Sequence, residues 1–194
     1  MLLALAGRSE VLQVEPNYLV HINETVPNDT YFSQMWNMKN IAHPGADIHA
    51  TYAWDVTTGS PFNVVGVVDT GVDYTHQDLA GNMWSAPTDF TVTVGGKKIT
   101  CPAGSHGFNA IAFAANNTAS ICDPMDDNGH GTHTSGTVGA VGNNNLGVTG
   151  VNWTARIMGL KFLDSTGSGS VADAANAIEF ALQDRTEVSL IVIA

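Results

Sequence analysis

Basic residues and long apolar runs are both scarce in this chain of 194 residues. It has 7 Lys and Arg against 18 Asp and Glu, and its net charge of −11 argues against binding to nucleic acid or to an anionic membrane. No apolar run reaches the roughly 18 residues that a membrane-spanning helix needs. We therefore expect neither nucleic acid nor a membrane among its partners.

The sequence also has only 2 cysteines, and it shows no internal repeat and no low-complexity tract. Cys101 and Cys122 flank a loop rich in glycine, alanine and asparagine. A disulfide there would contribute about 3 kcal/mol in an oxidising compartment, and two free thiols are the alternative. The apolar stretch Met1 to Ala6 is shorter than the core of a signal peptide, which spans about 7–15 residues. We therefore expect no targeting signal within it.

Hydrophobic residues make up 44% of the chain, enough for the core of one domain. The run Val64 to Val68 has the continuous apolar character of a strand buried on both faces, and it stops at Asp69-Thr70-Gly71. Functional sites of α/β proteins lie beyond the carboxyl ends of parallel strands, so Asp69 is a candidate site residue.

Two further strand-like segments, Arg156 to Phe162 and Val188 to Ile193, flank an amphipathic helix. Ser170 followed by Asp173 resembles a capping box and marks the start of that helix. A strand, a helix and a strand at this spacing predict a βαβ unit with parallel strands, and hence an α/β fold. Residues 81–127, rich in loop-forming residues, predict a long excursion with a possible hairpin at Phe90 to Val94.

Small residues dominate the stretch from Asp126 to Ala140, which contains His130 between two glycines. His130 could be a structural histidine. A metal pair with His133 is disfavoured, because the zinc motif needs a spacing of four and a glutamate between the histidines. The third possibility is a general base whose imidazole is oriented by Asp69.

Two long motifs resemble one family. The stretch Val67 to Asp73, followed by His76, Asp78 and Leu79, resembles the aspartate motif of the subtilisin-like serine proteases (subtilases). Asn128 to His133, followed by Ser135 to Thr137, resembles their histidine motif. The resemblance implies a three-layer, parallel-sheet α/β fold and a serine endopeptidase with an Asp-His-Ser triad. Asp69 and His130 would be the catalytic aspartate and histidine.

The resemblance also suggests how the chain is divided. Val14 to Tyr18 resembles the end of the family's inhibitory propeptide, and Pro27 to Trp36 resembles the start of the mature enzyme. We therefore expect a propeptide remnant at 1–22 and an incomplete amino-terminal part of the peptidase domain at 23–194. The expected partners are protein or peptide substrates and the chain's own propeptide, and the expected location is extracellular.

Substrate and metal sites follow from the same resemblance, residue by residue. The backbone of Gly167, Ser168 and Gly169 would bind the substrate as a strand; a flexible turn is the alternative. The resemblance implies structural calcium and no organic cofactor. The calcium ligands would be carboxylate, amide and backbone oxygens of Asp29, Asp78, Val141, Asn144, Leu146 and Val148. Asp126 and Asp127 are weaker candidates for a second calcium site.

The family's catalytic serine lies in a Gly-Thr-Ser motif, and no serine after His130 has such a setting. These serines are Ser135, Ser165, Ser168, Ser170 and Ser189. We therefore expect a chain truncated before the catalytic serine and inactive by itself. The alternative is a noncatalytic, calcium-dependent module that binds peptides.

Overall fold

The computed structural model describes residues 24–183 and 188–194, together with Arg8, Ser9, Val11, Gln13, Glu15, Pro16 and Tyr18. The expected propeptide remnant at 1–22 and its boundary therefore lie largely outside the described residues. Among the helices that are described, none combines the length and the apolar character needed to cross a bilayer.

The described strands form one parallel sheet and one hairpin. The strands are β1 (Gly59–Asp69), β2 (Phe90–Val94), β3 (Lys97–Cys101), β4 (Gly107–Asn109), β5 (Thr154–Lys161) and β6 (Val188–Ile193). The parallel sheet has the order β4-β5-β1-β6, so β1 lies between two parallel neighbours. Asp69 at the end of β1 is in register with Lys161 at the end of β5. The strands β2 and β3 pair separately in antiparallel fashion, as the predicted hairpin requires.

Four α-helices accompany the strands in the described part of the chain. They are α1 (Ala50–Ala53), α2 (Ala110–Ala114), α3 (His130–Gly139) and α4 (Val171–Ala181), with short 3₁₀ turns at Phe32–Gln34 and Ala80–Asn82. Helix α4 begins where the capping pattern predicts, because the Ser170 hydroxyl accepts a hydrogen bond of 3.0 Å from the Asp173 backbone N–H. It connects β5 to β6, which lie on opposite sides of β1.

Side chains on β1 alternate between two apolar clusters, one on each face of the sheet. Val68 belongs to the cluster that includes Phe180 of α4, and Val67 belongs to the cluster beside α3. The ring of Phe108 stacks on that of Phe180 with 4.7 Å between centroids, which packs α4 against β4 in the first cluster. Helices therefore cover both faces of a parallel sheet, and the predicted α/β fold with three layers is confirmed.

The excursion between the sheet strands is held by the hairpin and by a disulfide. Gly95 and Gly96 form the hairpin turn, and both have positive φ, which glycine adopts without steric cost. A disulfide joins Cys101 at the end of β3 to Cys122 in the loop that leads to α3. The excursion is thus anchored just before the segment that carries His130.

Candidate active site

Asp69 ends the central strand and is completely buried. Its carboxylate accepts a hydrogen bond of 2.6 Å from the backbone N–H of Thr70. Beyond this point the chain turns at Gly71, where φ is 110° and the position of a side-chain Cβ would lie 2.4 Å from the carbonyl oxygen of Pro124. Only glycine fits such a turn without displacing the neighbouring chain.

His130 is the first residue of α3, and the structure brings it to Asp69. Its Nδ1 lies 2.8 Å from one oxygen of the Asp69 carboxylate and 2.9 Å from the other. The His130 side chain is 59% exposed whereas that of Asp69 is 0% exposed, so the ring projects from a buried anion towards solvent. The hydrogen bond with Asp69, reinforced by the negative charge of that carboxylate, raises the pKa of His130.

The composition of α3 is unfavourable for a helix, so contacts made by other segments hold it in place. At its start, Gly131 packs so tightly on the aspartate turn that a Cβ there would lie 2.1 Å from the Gly71 carbonyl oxygen. At its end, the Asn82 side chain donates a hydrogen bond of 2.9 Å to the Gly139 carbonyl. The small residues that weaken the helix therefore permit His130 to approach Asp69.

Lys161 is a buried charge beside this pair that the sequence analysis missed. Its ammonium donates to the Thr70 carbonyl at 2.5 Å, the Leu163 carbonyl at 2.9 Å and the Asp127 carboxylate at 2.7 Å. The lysine is thereby paired and fully hydrogen-bonded, as a buried charge must be. A cation at the end of a mainly apolar strand indicates a candidate buried charge, but it does not indicate which partners that charge meets.

The contacts of Asp126 and Asp127 do not support the second calcium site. Asp127 pairs with Lys161, and Asp126 accepts hydrogen bonds from Thr70, Asn128, Gly129 and Thr132. Asp127 is thus already paired with a cation of the chain itself, and both oxygens of Asp126 accept hydrogen bonds. Because His130 is engaged with Asp69, the metal pair with His133 also lacks support.

The residues expected to bind calcium converge from three segments of the chain. Asp29 and Asp78 are both buried. Asp78 accepts hydrogen bonds from the Asn144 amide at 2.8 Å and from the Val148 backbone N–H at 2.9 Å. The Leu146 N–H bonds to Asn144 at 2.8 Å, and the Val141 N–H bonds to the Asp78 carbonyl at 2.8 Å.

One carboxylate oxygen of this group lacks a partner. Asp29 Oδ2 accepts from the Asn143 N–H at 2.7 Å, but the buried Oδ1 has no hydrogen bond within the described chain. Burial raises the pKa of Asp29, backbone hydrogen bonds oppose that rise, and the charge of Asp78 adds to it. Both oxygens of Asp78 already accept N–H bonds, so the unpartnered Oδ1 of Asp29 is the feature that suits a hard cation such as calcium, which takes oxygen ligands.

Residues 167–169 form neither a helix nor a strand: they follow a turn at Ser165 and Thr166, and Gly167 has a φ of 78°. The Asp164 carboxylate accepts a hydrogen bond of 3.1 Å from the Ser168 N–H, and the Ser168 carbonyl accepts one of 2.8 Å from the Asp164 N–H. These local bonds close the turn and occupy the backbone groups of Ser168. The Asn128 side chain donates to the neighbouring Ser165 carbonyl at 3.0 Å, which connects this turn to the segment preceding His130.

No serine in the described ranges is hydrogen-bonded to the imidazole of His130. Ser135 lies in the same helix, but its hydroxyl is buried and has no partner among those residues. The imidazole Nε2 likewise has no hydrogen bond to the described residues. The site thus contains a carboxylate and an imidazole that it orients through Nδ1, and the Nε2 atom of that ring has no partner among the described residues.

Sequence comparison extends these observations to known proteins. A "Thermophilic serine proteinase" of Bacillus sp. (strain AK1) is 35% identical over 185 residues, covering 95% of this chain and 37% of that protein. An "Extracellular protease" of Xanthomonas campestris is 34% identical over 180 residues, covering 91% and 29%, respectively. The chain thus spans about a third of the length of these relatives.

A solved structure and a family model lead to the same assignment as these relatives. A solved protease structure from Pseudoalteromonas arctica superposes with a TM-score of 0.62 at 25% identity, covering 86% of this chain and 50% of that one. The model of the subtilase family matches residues 63–191, which include both Asp69 and His130. The chain therefore belongs to the subtilase family.

Proposed function

We propose that this chain supplies the aspartate and histidine of a serine endopeptidase, with Asp69 orienting His130 as the general base. The observation that carries the proposal is the contact of His130 Nδ1 with both oxygens of a fully buried carboxylate. Membership of the subtilase family supports serine-type peptidase chemistry in general.

The geometry suggests how the pair would work. With Nδ1–H donating to Asp69, the imidazole holds its proton on that nitrogen and presents the Nε2 lone pair to solvent. Nε2 would take the proton of an attacking serine hydroxyl and later return it to the leaving amine. Asp69 would stabilise the imidazolium formed between these steps, and its burial strengthens that interaction.

We further propose that the nucleophilic serine lies outside these 194 residues. The relatives are much longer than this chain, and no described serine contacts His130. The chain alone should then fail to react with a fluorophosphonate probe. Labelling that occurs in the wild type and disappears in His130→Ala would contradict this part of the proposal.

The acid–base pair can be tested without any turnover. NMR titration of the imidazole should show that Asp69→Asn lowers the pKa of His130, because the variant removes the bonded negative charge. Asp73→Asn is the matched control: it removes a carboxylate from the same turn, where Asp73 bonds to Thr75. Equal titration of His130 in the wild type and in Asp69→Asn would refute the pairing.

The substrate is proposed to be an extended peptide, and the location is proposed to be extracellular. Residues 167–169 follow a turn that the Asn128–Ser165 bond links to the histidine segment, which supports a role near the substrate. The Cys101–Cys122 disulfide suits an oxidising compartment, and a relative carries the name "Extracellular protease". An interaction with the chain's own propeptide is proposed from the resemblance of Val14 to Tyr18 alone.

Calcium is proposed as a structural ion held by Asp29, Asp78, Val141, Asn144, Leu146 and Val148. Bound there, it would offset the repulsion between the two buried carboxylates and supply the missing partner of Asp29 Oδ1. Calcium should therefore raise the melting temperature relative to EGTA, and magnesium should do so less because it needs stricter octahedral geometry. In Asp29→Asn the calcium effect should be reduced, whereas Asp55→Asn should retain it. No difference between calcium and EGTA in the wild type would refute the site.

A noncatalytic peptide-binding module is the second candidate, favoured by the lack of a described serine at His130. It predicts calcium-dependent binding of an extended peptide, measured by calorimetry, without cleavage. If a longer chain that includes a Gly-Thr-Ser segment cleaves the same peptide and His130→Ala abolishes cleavage, this second candidate is excluded.

A further inference from the structure

Asp126 is a carboxylate close to the catalytic pair that does not bond to the imidazole. One of its oxygens accepts from the Thr70 hydroxyl at 2.8 Å and from the Asn128 and Gly129 N–H groups at 3.0 Å each. The other accepts from the Thr132 N–H at 2.9 Å and from the Thr132 hydroxyl at 2.5 Å. Burial would raise the pKa of Asp126, but the bonds from Gly129, Thr132 and Asn128 outweigh it and lower the pKa to about 2.

These five donors come from two different parts of the fold. Asn128, Gly129 and Thr132 surround the start of α3, the helix that carries His130. Thr70 instead follows Asp69 at the end of β1, 56 residues earlier in the chain than Asp126. A carboxylate that merely capped the helix would need only the first group of donors. The bond to Thr70 joins the helix to the strand end.

Thr70 uses all its polar groups at this junction. Its hydroxyl donates to Asp126 and accepts from the Gly131 N–H at 2.9 Å. Its backbone N–H donates to the Asp69 carboxylate, and its carbonyl accepts from Lys161. The residue is 1% exposed, so water cannot replace a lost partner without rearrangement. A shift of α3 relative to Thr70 would break the Gly131–Thr70 bond, and Thr70 is the residue whose N–H also bonds to the Asp69 carboxylate.

We propose that Asp126 is a positioning residue that, through Thr70, holds the end of β1 and the start of α3 at the separation that joins Asp69 to His130. The proposal rests on the proposed catalytic roles of that pair. It assigns to Asp126 no contact with substrate and no proton transfer.

Thr70→Val tests the proposal because it removes the shared hydroxyl while leaving the charge of Asp126 in place. The charges acting on His130 are those of Asp69 and, more weakly, Asp126, so both remain in this variant. NMR titration should then show a lower pKa for His130 than in the wild type, since its contact with Asp69 is loosened. Thr70→Ser keeps the hydroxyl and should restore the wild-type titration.

Thr75→Val is the matched control, because it removes a hydroxyl that, among the described residues, bonds only to Asp73 in an exposed turn. A folded Thr70→Val protein whose His130 titrates as in the wild type would overturn the proposal. If Asp69→Asn nevertheless shifts His130, the catalytic pairing stands and only the positioning role fails.

If Thr70→Val does not fold, the proposal is tested instead by comparing Asp126→Asn with Asp123→Asn. Each variant removes one negative charge, but Asp123 bonds to Tyr74 and Met125 and not to Thr70. Because the charge of Asp126 itself raises the pKa of His130, the readout here is the Nδ1–H proton resonance of His130, which reports its bond to Asp69. A larger change in that resonance for Asp126→Asn than for Asp123→Asn supports the proposal. Equal changes in the two variants overturn it.

Discussion

Replacing Cys101 and Cys122 together by alanine should lower the free energy of unfolding by about 3 kcal/mol. The disulfide spans a sequence separation of 21 residues, between the end of β3 and the loop before α3. In the chain-entropy model, a cross-link that closes a loop of this length removes about 11 cal/mol/K of conformational entropy from the unfolded chain. At room temperature this corresponds to a stabilisation of roughly 3 kcal/mol. The unfolding equilibrium constant should therefore rise by about two orders of magnitude.

The choice of alanine matters because Cys101 is completely buried in the apolar cluster around Phe108. Serine would add a buried hydroxyl there, and its desolvation would add to the measured loss. Urea denaturation followed by tryptophan fluorescence suits the assay, because buried Trp84 belongs to the same cluster and packs on Phe90. The variant should also have a larger m-value, because its unfolded chain is no longer cross-linked.

Reduced wild-type protein is the control, and its urea midpoint should move towards that of the double variant. The double variant itself should not respond to the reductant. The argument from loop closure would be refuted if the double variant lost less than about 1 kcal/mol of unfolding free energy while it and the wild type each unfolded in one cooperative step.

Three further predictions concern the site and the core. Wild-type protein should lose stability between about pH 4 and pH 2 relative to Asp126→Asn in urea titrations, because the pKa of Asp126 is about 2 when folded against an ordinary 3.8. This contribution is complete above the unfolded pKa and disappears as the pH falls through the folded pKa, so parallel curves would contradict it. Gly131→Ala should destabilise by roughly 1–3 kcal/mol in thermal unfolding, because its Cβ would clash with the Gly71 carbonyl. Gly136→Ala in the same helix meets nothing within 4 Å and should stabilise by about 0.5–1 kcal/mol; equal effects would refute this reasoning. Phe180→Ala should cost about 3–5 kcal/mol in urea titrations, because the ring is fully buried against Phe108. Val171→Ala, at a side chain 87% exposed, should change stability by less than about 0.5 kcal/mol, and a similar loss in both would argue against the core assignment.

Local patterns alone predicted the strand that ends at Asp69 and the start of α4, but they did not predict α3, the helix that carries His130. The apolar run ending at Asp69 predicted a buried strand because burial on both faces demands continuous apolar sequence. The Ser170–Asp173 pair predicted the start of α4 because a cap satisfies backbone N–H groups within one turn. His130 was a candidate base from its motif, and its pairing with Asp69 was a prediction that depended on the resemblance.

Contacts between distant segments had no such signal. The burial of Lys161 depends on the Thr70 and Leu163 carbonyls and on Asp127, which converge only once β1 and β5 pair in register. The loop conformation at 164–168 depends on where the Asp164 carboxylate points, and Gly167 and Gly169 themselves suited either a strand or a turn. Side-chain direction at a loop has no periodicity from which it could be read.

The sequence by itself determined the kind of fold, the subtilase motifs and the two residues proposed for acid–base chemistry, because these depend on residue type and on spacing along the chain. The tertiary structure alone decided how those two residues are held together. Thr70 meets Asp126 and Gly131 across 56 and 61 residues, respectively, and hydrogen bonds over such separations exist only after the sheet and α3 have packed.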